Sequence, residues 1–281
     1  MTFEEILRVM RSMDFHFFDV AYYRDGKIQT HCFRPASACN DSYSVAKAFV
    51  MTAVGLLYDD GKIDVHSSIG RYIPIPKTAD QCWRLVTVEN ALTHRVGLRE
   101  GFLDIDKEDV SAYPSDDFLS MVFARPLCSL PGTAYVYSDA AYYLLSRLVT
   151  QVSGETVDAL LEKRIFRPMR YRETAWSRCP HGFPIGATGL YLRTDDMLKL
   201  GLLYLLDGVF EGKRLLSSAW IQTALAREYE FQVLSRGGWY GKGGMYGQML
   251  AFSREKGYVF ACHAHEANPG KKLFELLDQL D

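Results

Sequence analysis

Phe3, Leu7 and Met10 recur at helical spacing, and Thr2 stands before them with Glu5 three residues on. That is a capping-box pattern, so the spacing predicts a first helix over residues 2 to 12. Residues 16 to 24 are rich in β-forming side chains, and Asp25-Gly26-Lys27 is a turn signal. Residues 28 to 34 then read as the returning strand of a hairpin. From Ser44 to Asp60 the apolar positions Ala46, Phe49, Val50, Ala53, Val54 and Leu57 follow helical spacing again, and Gly61 stops the run. Between Val86 and Asp207 the pattern is mostly helical. Helices are expected over 87–93, 115–123, 138–152, 155–164 and 194–206, separated by loops with Pro and Gly.

The tail changes character. Residues 237 to 247 hold six glycines among Trp239, Tyr240, Lys242, Met245 and Tyr246. Strand-like runs follow at 246–253 and 257–263, joined by Arg254-Glu255-Lys256. Asn268 as N-cap and Pro269 at the first helical position open a last helix carrying Leu273, Leu276, Leu277 and Leu280. The order predicts an α/β (α+β) chain. An antiparallel sheet built from both ends is flanked by the N- and C-terminal helices, beside a mostly helical lobe. A single domain over 1–281 is expected, with the sheet lobe near 1–40 and 230–281 and the helical lobe near 41–229.

Charge narrows the class of partner. The 32 Lys and Arg residues face 34 Asp and Glu, a net charge of −2, so there is no basic surplus for nucleic acid. The longest nearly unbroken apolar run, Ala48 to Tyr58, is too short for a bilayer, so no membrane insertion is expected. Glu4 and Glu5 are unlike the start of an export signal, and a cytoplasmic location is expected. Cys32, Cys39, Cys82, Cys128, Cys179 and Cys262 form no Cys-x-x-Cys pair, which leaves reduced structural thiols.

Four stretches carry candidate chemistry. In Ser44-Val45-Ala46-Lys47, positions three apart at a helix start share a face, so the Lys47 amine can approach the Ser44 hydroxyl. A serine hydroxyl needs a base, and burial together with a helix N-terminus moves a lysine toward that role. The same spacing recurs in Ser253-Arg254-Glu255-Lys256, in a charged turn where nothing desolvates the lysine. Tyr137-Ser138-Asp139 precedes a helix that Ser138 or Asp139 can cap, which leaves Tyr137 at a loop–helix junction or simply packed in a core. The glycines from Gly241 to Gly247 allow close backbone approach, as an oxyanion hole needs, or form a plain flexible loop. His263 and His265 share a strand face beside Glu266. That arrangement resembles a metal site but lacks a third ligand cluster, and neither metal nor cofactor is expected.

Taken together, Ser44-x-x-Lys47, Tyr137-Ser138-Asp139 and the glycine-rich strand resemble the serine β-lactamase-related superfamily of class C β-lactamases, D-alanyl-D-alanine peptidases and esterases. The segments Leu57 to Asp64, Ile69 to Pro74, Val86 to Leu98, Ile165 to Met169 and Gly189 to Met197 are similar as well. The resemblance implies a β-lactamase/transpeptidase-like fold and a small-molecule substrate. It implies Ser44 as the acylated nucleophile, with Lys47 and Tyr137 in the proton-transfer network. It places Lys242, Gly243, Gly244, Met245 and Asp139 around the substrate, with Gly244 or Met245 supplying an oxyanion N–H.

Three departures qualify what it implies. The second motif commonly ends in Asn, and here it ends in Asp139. The third is usually Lys-Thr-Gly or His-x-Gly. Here it is Lys242-Gly243-Gly244, with Trp239-Tyr240-Gly241 as the rival register. Without a hydroxyl at Gly243, an esterase or amidase on a neutral substrate is favoured over a true β-lactamase or D-alanyl peptidase. The third departure is the lack of an export signal, which favours a small metabolite or xenobiotic ester. A non-catalytic ligand-binding relative is the alternative, and a metal hydrolase on His263, His265 and Glu266 is a further one. Trp239, Tyr240 and Tyr113 hint at an aromatic-lined cleft.

Overall fold

The structure, a computed structural model, describes residues 2–35, 37–234, 238–267 and 269–280. Along the chain come α1 (Phe3–Ser12), β1 (Phe17–Arg24), β2 (Lys27–Cys32), β3 (Asn40–Asp41), α2 (Ala46–Asp59), α3 (Val88–Leu92), α4 (Phe118–Phe123), α5 (Asp139–Ser153) and α6 (Val157–Leu161). Then follow β4 (Thr174–Trp176), β5 (Leu190–Leu192), α7 (Thr194–Leu205), β6 (Val209–Phe210), β7 (Lys213–Arg214), α8 (Ser218–Ala226), β8 (Gln232–Val233), β9 (Trp239–Gly243), β10 (Met249–Ser253), β11 (Tyr258–Ala264) and α9 (Gly270–Gln279). The chain divides into two compact units: residues 1–48, 169–175 and 190–281, and residues 49–168 with 176–189. Residues 190–229, which the periodicity groups with the helical middle, cluster with the sheet.

The first unit is built on a six-stranded sheet of order β2-β1-β11-β10-β9-β8. Its pairings are antiparallel, so both ends of the chain meet in one sheet as the sequence pattern predicts. The capping box forms at α1: Thr2 Oγ1 accepts the Glu5 N–H, and Glu5 accepts the Thr2 N–H at 2.7 Å. Helices α1 and α9 bury Ile6, Leu7, Met10, Leu273, Leu276 and Leu277 against Phe17, Val20, Tyr22, Phe260 and Cys262. Each such side chain contributes about 2 kcal/mol of apolar burial. A Cβ at Gly201 of α7 would lie 2.7 Å from Val259 Cγ1 and 2.9 Å from Leu250 Cδ1, an approach only glycine permits.

Several local expectations shift. Strand β10 begins at Met249, because residues 244–248 are spent on a tight turn in which Gly247 adopts φ +93°. Helix α9 begins at Gly270 with Pro269 in the cap position, while Asn268 lies outside the described residues. Helix α8, capped by Ser217 Oγ, is an addition to the predicted elements.

The second unit is helical. Helix α5 buries Ala140 to Leu145 and ends at Gly154, whose φ of +76° is the left-handed stop expected there. At α3, Thr87 and Asn90 cap each other through reciprocal bonds of 3.0 and 3.1 Å. Trp83 packs edge-on against Phe123 of α4 at 5.2 Å, and its Nε1 donates to the Arg125 carbonyl. The expected helix over 155–164 is α6 followed by a π-helical turn, Glu162–Phe166.

Candidate active site

Ser44 sits in a 3₁₀ turn, Tyr43–Val45, that leads directly into α2. Tyr43 adopts φ +46°, a left-handed conformation that costs a non-glycine residue about 1–2 kcal/mol. The turn is held in place by the Asp41 carboxylate, which accepts the Tyr43 N–H at 2.8 Å, and by the Ser42 N–H donating to the Leu190 carbonyl at 2.9 Å. Lys47, one turn on, is 0% exposed, and its Nζ donates to Ser44 Oγ at 3.0 Å. The second Ser-x-x-Lys copy has no such geometry: Ser253 Oγ accepts the backbone N–H of Lys256.

Strand β9 approaches the same turn within the first unit. A Cβ at Gly244 would stand 2.8 Å from the Ser42 carbonyl oxygen, whereas the nearest neighbours of Gly241 are Leu234, Leu250 and Ala251. The close approach to the serine turn therefore falls in the Lys242-Gly243-Gly244 register. Tyr246, just beyond, packs its ring edge-on against Tyr43 at 5.1 Å. Of the two candidate oxyanion donors, the Gly244 N–H is committed to the Gln248 carbonyl at 2.8 Å. The Met245 N–H has no acceptor among the described residues. Lys242 is ion-paired to Glu230, with side chains 9% and 2% exposed. Trp239 does not line a cleft: it is wholly buried with α1 and α9, because alternate residues of β9 face opposite sides.

Tyr137 lies in the second unit and is 39% exposed. Its position is set by His94, which sequence reasoning left without a role. The His94 carbonyl accepts the Val136 N–H at 2.8 Å, and its Nδ1 accepts the Ser138 N–H at 3.2 Å. The His94 ring lies 4.5 Å from the Tyr137 ring, and His94 itself adopts φ +54°. Both neighbours of Tyr137 are thus pinned to one buried residue. Ser138 occupies the N-cap position of α5, but its hydroxyl accepts the Phe102 N–H at 3.2 Å instead of capping the helix.

Asp139, 5% exposed, gathers with Asp104 and Asp106, with ligand oxygens within 4.8 Å of one another. Asp106 accepts from Thr188 Oγ1 at 2.6 Å, and Asp104 pairs with Lys107 at 3.1 Å. The hydrogen bond to Asp104, with the charges of Asp104, Asp139 and Asp106 behind it, holds the Lys107 ammonium above its usual range. His263 is buried against Thr194 Oγ1 at 2.6 Å, and His265, past the end of β11, stacks on Tyr246 at 4.6 Å. Among the described residues, neither histidine joins a three-ligand group.

An antiparallel sheet with helical elements, carrying a serine–lysine pair at a helix start and a glycine-rich strand against it, defines the class. The Beta-lactamase family pattern matches residues 35–279, and the chain belongs to that family. It is 30% identical over 140 residues to an N-acetylmuramyl-L-alanine amidase of Bacillus subtilis (strain 168), a match covering 47% of this chain and 31% of that protein. The chain spans about a third of the length of the curated relatives it matches. Among solved structures, EstCE1, a hydrolase with promiscuous acyltransferase activity, has a TM-score of 0.74 at 15% identity, covering 98% of this chain and 97% of that one. A penicillin binding protein from Bacillus halodurans has a TM-score of 0.68 at 16% identity, covering 99% of each. At these identities the structural likeness bears on the fold. Among the described residues, no helix is long and apolar enough to cross a membrane.

Proposed function

We propose that the protein is a serine hydrolase that works through an acyl-Ser44 intermediate on a small ester or amide. The observation that carries this reading is the 3.0 Å hydrogen bond from a fully buried Lys47 to Ser44 Oγ. Desolvation disfavours the ammonium form and so favours the amine that can accept a proton. Lys47 Nζ takes the Ser44 proton as Oγ bonds to the substrate carbonyl carbon. The bond to the leaving oxygen or nitrogen breaks, and the proton passes to that leaving group. Water then attacks the acyl carbon, a carboxylic acid departs, and Ser44 regains its proton. The Met245 N–H is the donor we assign to the developing oxyanion. Tyr137 takes a proton-transfer role on the family resemblance. An N-acetylmuramyl-L-alanine amidase among the relatives agrees with ester or amide cleavage.

The test is intact-protein mass spectrometry after brief exposure to a short-chain activated ester and, separately, to a penicillin, with product release followed in parallel. An adduct or turnover present in the wild type and absent in Ser44→Ala supports the reading. The pairing of Lys242 with Glu230 and the missing hydroxyl at Gly243 favour a second reading, a ligand-binding relative without turnover. That reading prevails if neither reagent reacts above the Ser44→Ala background.

A further inference from the structure

Some arginines of the second unit are held in ion pairs and others are not. Arg164 and Arg178 are held by Asp60 and Asp158. Arg99 and Arg125 form no ion pair among the described residues. The Arg125 guanidinium lies over the Phe102 ring, 4.1 Å from its centroid. Both arginines line one cavity of about 250 Å³ whose apolar wall is Leu98, Phe102 and Pro126, and Glu100 lines it as well. The two guanidiniums outnumber the one carboxylate, Glu100, in this lining, and the remaining positive charge favours a bound anion. Arginine suits a carboxylate in particular, because its fork of donors matches the two oxygens.

The cavity is built onto the Tyr137 motif. A Cβ at Gly101 would stand 3.0 Å from the Tyr137 carbonyl oxygen. The Phe102 N–H donates to Ser138 Oγ at 3.2 Å, and the Ala140 N–H donates to the Phe102 carbonyl at 2.9 Å. A second cavity of about 540 Å³ shares Phe102, Arg125 and Pro126 and continues past Tyr113 and Met121. The stacked pair Arg125–Phe102 is common to both, so an apolar body anchored by its carboxylate in the first has room to extend into the second.

We propose that Arg99 and Arg125 bind the carboxylate of a small organic acid whose apolar body rests on Leu98 and Phe102.

Calorimetric titration of the full chain with benzoate and with its neutral counterpart benzamide tests this, in the wild type, Arg99→Gln, Arg125→Gln and Ser44→Ala. Benzoate binding at least tenfold tighter than benzamide, lost by at least tenfold in each arginine variant but kept in Ser44→Ala, supports the site. Partial recovery in Arg99→Lys separates loss of charge from loss of fold, and melting temperatures check folding directly. No benzoate binding, equal affinity for the two ligands, or arginine variants that bind like the wild type each overturn it.

Discussion

Lys47 Nζ donates to Ser44 Oγ at 3.0 Å from one turn along the chain, in a pair whose lysine is shut away from solvent. If Lys47 removes the serine proton, the two act as one unit. Ser44→Ala and Lys47→Met are each expected to lower kcat by on the order of 10³-fold or more for an activated ester. The double variant is expected to lose no more than either single one. Additive losses in steady-state kinetics would mean that the two side chains serve separate steps.

Adjacent glycines at the end of β9 are expected to behave oppositely. A Cβ at Gly243 would meet nothing closer than 3.7 Å, whereas one at Gly244 would stand 2.7 Å from Gln248 Oε1 and 2.8 Å from the Ser42 carbonyl. Gly243→Thr is therefore expected to change stability by less than about 1 kcal/mol and to restore the hydroxyl usual in the related motif. Gly244→Ala is expected to cost about 1–3 kcal/mol and to displace the serine turn. Urea unfolding of the two variants checks this, and equal costs would rule out the close approach.

His94 holds Tyr137 through its neighbours. His94→Leu leaves the Ser138 N–H without its acceptor, for a cost of about 1–3 kcal/mol. It also frees the Tyr137 ring from its stacking partner. The expected result is a lower melting temperature together with a kcat loss larger than destabilisation alone explains. Full activity in the folded variant at low temperature would limit His94 to a structural role.

Lys242 and Glu230 form a buried ion pair, and removing one side takes from the other buried charge its ion-pair partner. Glu230→Leu is expected to destabilise the protein by about 3–5 kcal/mol, and Glu230→Leu with Lys242→Met by clearly less. A double-mutant cycle on urea midpoints measures the difference. Simple additivity would show that the pair is not coupled.

Much of this arrangement is legible in the sequence because its parts are local. The Thr2–Glu5 box, the hairpin turn at Asp25-Gly26 and the long apolar repeats of α2 and α5 each specify themselves within a few residues. The Ser44–Lys47 pair is legible for the same reason, since helix geometry alone brings the residues together. His94 is not, because Ser138, whose N–H it accepts, lies 44 residues away. Nor is the burial of Trp239, which depends on which face of β9 meets α1 and α9. Ser138 misleads for a physical reason: the helix-capping position is real, but the Phe102 N–H competes for its hydroxyl. Helix α8 carries a visible cap in Ser217, yet its Trp220, Ile221, Ala224 and Leu225 give too short a repeat to stand out.

Acid sensitivity is expected from carboxylates held by the fold. Asp80 accepts backbone N–H bonds from Cys82 at 2.9 Å and Leu127 at 3.1 Å, the first being the main cause that depresses its pKa. Asp60 is held below the usual carboxylate range chiefly by its hydrogen bonds from Arg164, at 3.1 and 3.2 Å. A folded pKa below the unfolded value of about 3.9 means that the unfolded chain binds more protons in this window. The stabilisation from these groups is therefore complete above about pH 4 to 5 and is lost as pH falls through the depressed values. Urea midpoints from pH 6 down to pH 3 are expected to fall most steeply at the acidic end. In Asp80→Asn, whose amide oxygen still accepts but does not titrate, the midpoint is expected to be lower at pH 6 and the acid slope shallower. An acid slope as steep in Asp80→Asn as in the wild type would remove Asp80 from the account and leave Asp60 and the other paired carboxylates to explain it.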